Sequence, residues 1–103
     1  MVKMKTIIQF GYEVHVPPNG IPLIDCRVIP NPFGIKNELL RARAVLQHPK
    51  FKELVLNGMA QLSLHDTIGV GCGWGVHRSG EVAKEIQRKI LHLSSQIVEI
   101  KKL

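Results

Sequence analysis

Between Thr67 and Glu81 the chain passes from a β-branched apolar run into ten residues carrying four glycines, and from there into an amphipathic helix. The run Thr67-Ile68-Gly69-Val70 reads as a strand. It leads into Gly71-Cys72-Gly73-Trp74-Gly75-Val76-His77-Arg78-Ser79-Gly80. Behind that segment Val82, Ile86, Ile90 and Leu93 share one helical face, with Glu81, Lys84, Glu85, Arg88 and Lys89 off it. A strand joined to a helix by a glycine-rich turn belongs in an α/β layer fold, and the rest of the chain repeats the alternation. Thr6–Phe10 is a short buried strand, and Gly11 to Gly20, with Pro17-Pro18 and Asn19-Gly20, is a loop. Leu23–Ile29 is a second strand interrupted by Asp25 and Arg27 and stopped by Pro30-Asn31-Pro32-Phe33-Gly34. Asn37 caps a helix carrying Leu39, Leu40, Ala44 and Leu46. Pro49 ends that helix or starts the next, in which Phe51, Leu54, Val55, Met59 and Leu62 recur at helical spacing to about Leu64. Gln96–Ile100 closes as a fourth strand. The expected architecture is a single small three-layer α/β domain over residues 1–103, with a mostly parallel sheet of about four strands.

The chain is 103 residues long with 45% hydrophobic residues, enough for one folded core and too little for two domains. Aromatics at 5% make that core aliphatic. Lys and Arg number 14 against 8 acidic residues, a net +6 that favours anionic partners: phosphorylated small molecules, nucleic acid or an acidic surface. Cys26 and Cys72 are the only cysteines, so neither a disulfide framework nor a C-x-x-C zinc signature is expected, and free thiols suit a cytoplasmic setting. The start, Met1 to Lys5, is mildly basic. The apolar run behind it is too short for a signal-peptide core, and no stretch approaches the ~18 apolar residues of a membrane span. No cofactor, metal or membrane partner is expected. A homo-oligomer binding ligand at a subunit interface is one arrangement open to so small a domain.

The chemistry concentrates in the glycine-rich segment. Gly71, Gly73 and Gly75 let backbone N–H groups converge without side-chain obstruction. A helix N-terminus adds free N–H groups and a dipole favouring an anion. Arg78 can fork onto a phosphate, Ser79 adds a hydroxyl, and His77 can donate. With Cys72, Gly73, Trp74, Gly75 and Val76 they make a candidate phosphate cradle; the plain alternative is a tight turn with Arg78 solvated. Cys72 through Ser79 also matches C-x5-R-[ST], the signature of cysteine-dependent phosphatases, in which the thiolate attacks phosphorus, Arg78 would bind oxygens and an aspartate protonates the leaving group. Asp25 or Asp66 would have to be that acid. Gly71 stands where those enzymes usually carry histidine, and the bland reading of Cys72 is a small residue at a strand end.

Three segments taken together resemble another family. They are Phe10-Gly11-Tyr12, Asp25-Cys26-Arg27-Val28-Ile29-Pro30-Asn31-Pro32, and Gly71-Cys72 through His77-Arg78-Ser79. In this order they are similar to S-F-G-F, D-x-R-F-L-P-N-P and G-C-T-G-G-x-H-R-S of the C-terminal domain in the RNase adapter protein RapZ family, over about Thr6 to Leu103. The resemblance implies a domain that binds a phosphosugar, glucosamine-6-phosphate, and RNA, and presents small RNA to a ribonuclease. That domain follows a nucleotide-binding domain with a Walker-type loop, and no G-x-x-x-x-G-K-[ST] occurs here. Trp74 and Val76 replace smaller or polar loop residues of the family.

Other residues carry two readings each. Asp25 and Arg27 either hold sugar hydroxyls and phosphate or form a structural pair. Asn31 binds ligand or caps its turn. Tyr12 and His15 border the loop placed over the pocket. Trp74, the only tryptophan, stacks on a ligand ring, fills the core or joins a subunit contact. Lys36, Arg41, Arg43, Lys50 and Lys52 form a basic stretch, either a solvated face or a contact to RNA phosphates. The leading expectation is a binding module for a phosphosugar or nucleotide, used as sensor, sequestering protein or RNA-adapter-like domain. Its alternatives are a cysteine-dependent phosphatase using Cys72, Arg78 and Asp25, and a plain RNA-binding domain.

Overall fold

The computed structural model describes residues 4–103; Met1, Val2 and Lys3, on which the mildly basic start partly rests, lie outside the described residues. The chain forms β1 (Lys5–Gly11), β2 (Leu23–Asp25), a 3-10 turn (Cys26–Val28), α1 (Glu38–Leu46), α2 (Pro49–Leu64), β3 (Thr67–Cys72), α3 (His77–Ser94) and β4 (Val98–Lys102). The four strands make one sheet in the order β2-β3-β1-β4, every pair parallel. This is the expected α/β class. No helix is long and apolar enough to cross a membrane among the described residues.

Alternation along the strands sorts the sheet into two unlike faces. Ile7 lies beside Ile68 and Ile100, and Ile24 beside Val70. These residues, with Cys72 and Val98, form one core with Val45 of α1, Phe51, Val55 and Leu62 of α2, and Val82, Ala83 and Ile86 of α3. All three helices therefore cover the same face. The opposite face is covered only over β2 and β3, where Phe10 and the loop residue Ile21 lie, and Glu99 and Lys101 of β4 are exposed on it, so helices and sheet make two layers and not the three expected. Phe10, fully buried, lies there across the two glycines of β3, with Tyr12 edge-on at 4.8 Å between ring centroids. A Cβ on Gly71 would meet the Phe10 ring at 2.4 Å, and one on Gly69 would meet Leu23, Phe10 and Ile21.

The caps explain where elements start. Asn37 Oδ1 accepts from Leu40 N–H at 3.1 Å and starts α1. Pro49 opens α2 rather than ending α1, and His48 Nδ1 accepts from Lys50 N–H as its cap. Three further expectations need correction. The second strand stops at Asp25 instead of reaching Ile29, because Asp25 Oδ1 accepts from Arg27 N–H and bends the chain into the 3-10 turn. The fourth strand runs two residues later than expected: Ser95 ends α3 in the left-handed conformation, φ 56°, and the chain needs Gln96 and Ile97 to turn back. The apolar residues assigned to α1 stay largely in solvent, Leu39 being 80% exposed, and Val45 anchors that helix alone.

Gly71→Ala is expected to lower the unfolding free energy in urea by about 1–3 kcal/mol, because the methyl group overlaps the buried Phe10 ring. Gly34→Ala, with nothing within 4 Å of the added carbon, should leave it near the parent value.

Candidate functional site

The site grows out of the place where β1 and β3, neighbours in the sheet, release their chains to opposite sides. From β1 the chain crosses to β2, and from β3 it crosses to β4 by way of α3. Open α/β sheets bind ligands at such a reversal, beyond the carboxyl ends of the strands. Here the two chains touch as they part. A Cβ on Gly11 would sit 2.4 Å from the Trp74 carbonyl carbon, and one on Gly75 would sit 2.7 Å from Gly11 N. Gly75 also adopts φ 78°, which favours glycine. Tyr12 N–H donates to Cys72 O and Glu13 N–H to Gly73 O, both at 2.8 Å, carrying the β1–β3 pairing beyond the sheet. Gln9, buried on the helix side, donates from Nε2 to Gly75 O at 2.7 Å. The strand reading overlooked Gln9; its parity with Ile7 marks it as an inward polar residue in need of a partner.

The loop so held turns around the Cys72 sulfur. Gly75 N–H donates to Sγ at 3.2 Å, and Ser79 Oγ, buried in the first turn of α3, lies 3.2 Å from it. Burial alone would push the Cys72 thiol up. Hydrogen bonding from the Ser79 side chain and backbone and from Gly75, together with the Arg78 charge, outweighs it, so the thiol sits below its ordinary range. Cys26 behaves oppositely, since burial first and the nearby Cys72 second push its thiol far up.

Arg78 completes the centre. Its residue is only 7% exposed, and Nη1 donates to Ile29 O at 3.0 Å. Nη2 lies 3.0 Å from where a Gly73 Cβ would be, so the missing side chain at 73 makes room for the guanidinium. No ion pair involves Arg78 among the described residues. Nor does α3 have a side-chain cap or an acidic residue in its first turn. A buried cation beside uncapped helix N–H groups is an arrangement suited to an anion.

Around this centre the structure brings some expected residues together and sets others apart. Asp25 and Arg27 pair in bidentate fashion, with Arg27 Nη2 to Asp25 Oδ2 at 2.7 Å and Nε to Oδ1 at 2.9 Å. Arg27 stacks on the Tyr12 ring at 3.7 Å. Hydrogen bonds from Arg27, opposed by partial burial and aided by the Arg78 charge, hold the Asp25 carboxyl below the usual carboxylate range. His15 Nδ1 accepts from Gly11 N–H at 3.0 Å, so this ring nitrogen shapes the turn. Asn31 is exposed and lines a separate depression with Pro30, Ala44 and His48. Val76 and His77 line a groove with Leu39, Lys84 and Lys102 on the α1 side of the loop. Trp74 is exposed. Asp66 precedes β3 and pairs with Lys5, so the length of that strand, about 20 Å, separates it from Cys72.

No protein-family model matches the chain. It is similar to proteins named as nucleotide-binding. It is 26% identical over 117 aligned residues to one from Leifsonia xyli subsp. xyli, covering 93% of this chain and 39% of that protein. With one from Rubrobacter xylanophilus the identity is 32% over 103 residues, covering 82% and 34%. For one from a Nocardioides species it is 32% over 110 residues, covering 86% and 36%. The chain thus spans a little over a third of the length of these relatives.

Titration followed by ultraviolet thiolate absorbance should show one transition below the ordinary cysteine value of about 8.5. Cys72→Ser should abolish it. Ser79→Ala should move it upward, because the thiolate loses a hydrogen-bond donor.

Proposed function

We propose that the Cys72–Ser79 loop holds the phosphoryl group of a small phosphorylated ligand, a nucleotide or a phosphosugar, and that the domain acts by binding it. The observation that carries this reading is Arg78: a residue 7% exposed, without an ion-pair partner among the described residues, at the uncapped start of α3. Two more observations support it. Gly73 leaves the approach to Nη2 free of a side chain, and the relatives are named for binding nucleotides. Asp25 and Arg27 border the site as a preassembled pair able to take ligand hydroxyls or a second phosphate edge. The resemblance to the RapZ C-terminal domain adds a regulatory use, as phospho-ligand sensor, sequestering protein or RNA-adapter-like domain.

A cysteine-dependent phosphatase is the second reading, favoured by the hydrogen bonds that steady a Cys72 thiolate. Its difficulty lies in the acid. A general acid must hold its proton near neutral pH. Asp25 is driven the other way by Arg27, and Asp66 lies at the far end of β3. Without a proton donor, departure of the leaving group is slow, and binding outlasts chemistry.

A thermal-melt screen of nucleotides and phosphosugars tests the two readings. A ligand at a hundred times its Kd stabilises by about 2.7 kcal/mol, a rise of roughly 10–20 °C for a domain of this size. The binding reading expects such a rise, its retention in Cys72→Ser, its reduction in Arg78→Lys, which keeps a cation but loses the fork, and no turnover of an aryl phosphate. Turnover abolished by Cys72→Ser would establish the phosphatase instead. A screen in which no phosphorylated compound raises the melting point would end both.

A further inference from the structure

The feature the phosphate site leaves unexplained is Trp74. It is 59% exposed although it is the chain's only tryptophan and sits in a loop whose backbone is held on both sides. The backbone on either side is fixed. Gly73 O accepts from Glu13 N–H, Gly75 O accepts from Gln9 Nε2, and the 74–75 peptide rests directly on Gly11. A large apolar group is therefore presented to solvent on a rigid base, where most of the ordering cost is met before any ligand arrives. Its backbone is also close to the cationic centre. Residue 73 abuts the Arg78 guanidinium, and Trp74 follows one step of chain later, about 3.8 Å between Cα atoms.

The surroundings narrow the chemistry. Between Gly73 and Val76 the loop offers an indole, an isopropyl group and two glycines, and no side-chain hydroxyl, amide or carboxylate. Such a segment can stack on a flat unsaturated ring, while the polar side chains beside it, Glu13 next to Gly73 and the Asp25–Arg27 pair, are left for the ribose hydroxyls. We infer that Trp74 is the specificity-determining residue of this site, a stacking platform for the base of a nucleoside monophosphate whose phosphate is held at Arg78. The inference rests on the proposed phosphate site and deepens it, choosing a nucleotide over a phosphosugar.

The test uses the whole chain with three probes: adenosine 5′-monophosphate, ribose 5-phosphate and inorganic phosphate. Wild-type protein should bind the nucleotide with quenching of Trp74 fluorescence, a signal no other residue in the chain can give. Trp74→Ala should weaken the nucleotide about tenfold or more and leave ribose 5-phosphate and phosphate unchanged. Trp74→Phe should recover most of the loss. Because the indole is largely exposed, the thermal melt of unliganded Trp74→Ala should match the parent and exclude a folding defect. Equal affinity for the nucleotide and ribose 5-phosphate, unaffected by Trp74→Ala, would overturn the stacking role while leaving the phosphate site standing. Failure of all three probes to bind would instead overturn the phosphate site, and this inference with it.

Discussion

The contact on which this structure turns is the crossing of two backbones, Gly11 over Trp74 and Gly75, at the carboxyl edge of the sheet. β1 and β3 are adjacent and parallel, yet their chains depart for opposite sides. In larger α/β proteins that reversal opens a crevice. Here the crevice is closed by peptide against peptide, at a distance no Cβ on residue 11 or 75 would allow. Closure fixes the loop after β3, and with it the start of α3. Cys72 and Arg78 gather on the side near β2, where Arg78 reaches Ile29 O.

Charge at that edge is arranged in opposed pairs, with one member still wanting. Asp25 is matched by Arg27 through two hydrogen bonds and is further lowered by Arg78. Cys72 draws on Ser79, Gly75 and Arg78 to hold its thiol below the ordinary range. Arg78 alone is buried with a neutral carbonyl as its hydrogen-bond acceptor. An incoming phosphate would share that guanidinium with the Cys72 sulfur, so anion binding and thiolate formation compete for the same cation.

The two faces of the sheet account for much of the chain's composition. A parallel sheet normally needs cover on both sides. With three helices committed to one face, the other falls to the β1–β2 loop and to Phe10, whose ring needs glycine at 71 beneath it. The aliphatic core follows from the helix side, and the aromatic pair of Phe10 with Tyr12 follows from the loop side. Tyr12 in turn supports Arg27 from below, so the cover of the bare face also braces the rim of the site.

Local pattern was enough to reveal the strand–glycine loop–helix unit, the Asn37 cap, the extent of α2 and the parallel α/β class, because each depends on residues close in sequence. Periodicity marks a buried face, a capping side chain reaches only its own first turn, and glycine at a strand-to-helix junction speaks for itself. The end of β2 at Asp25 was hidden because an Asx-type bond to Arg27 N–H overrode an apolar, β-branched run. The exposure of Leu39 was hidden because it depends on which neighbours reach α1, and only Val45 meets them. Long-range contacts decided the site itself: Gln9 to Gly75 across 66 residues, Arg78 to Ile29 across 49, and Gly11 against Gly75. Sequence determined which groups could bind an anion. Only the tertiary structure decided that Arg78 would be buried without an ion pair among the described residues, since burial depends on what the rest of the fold brings to it.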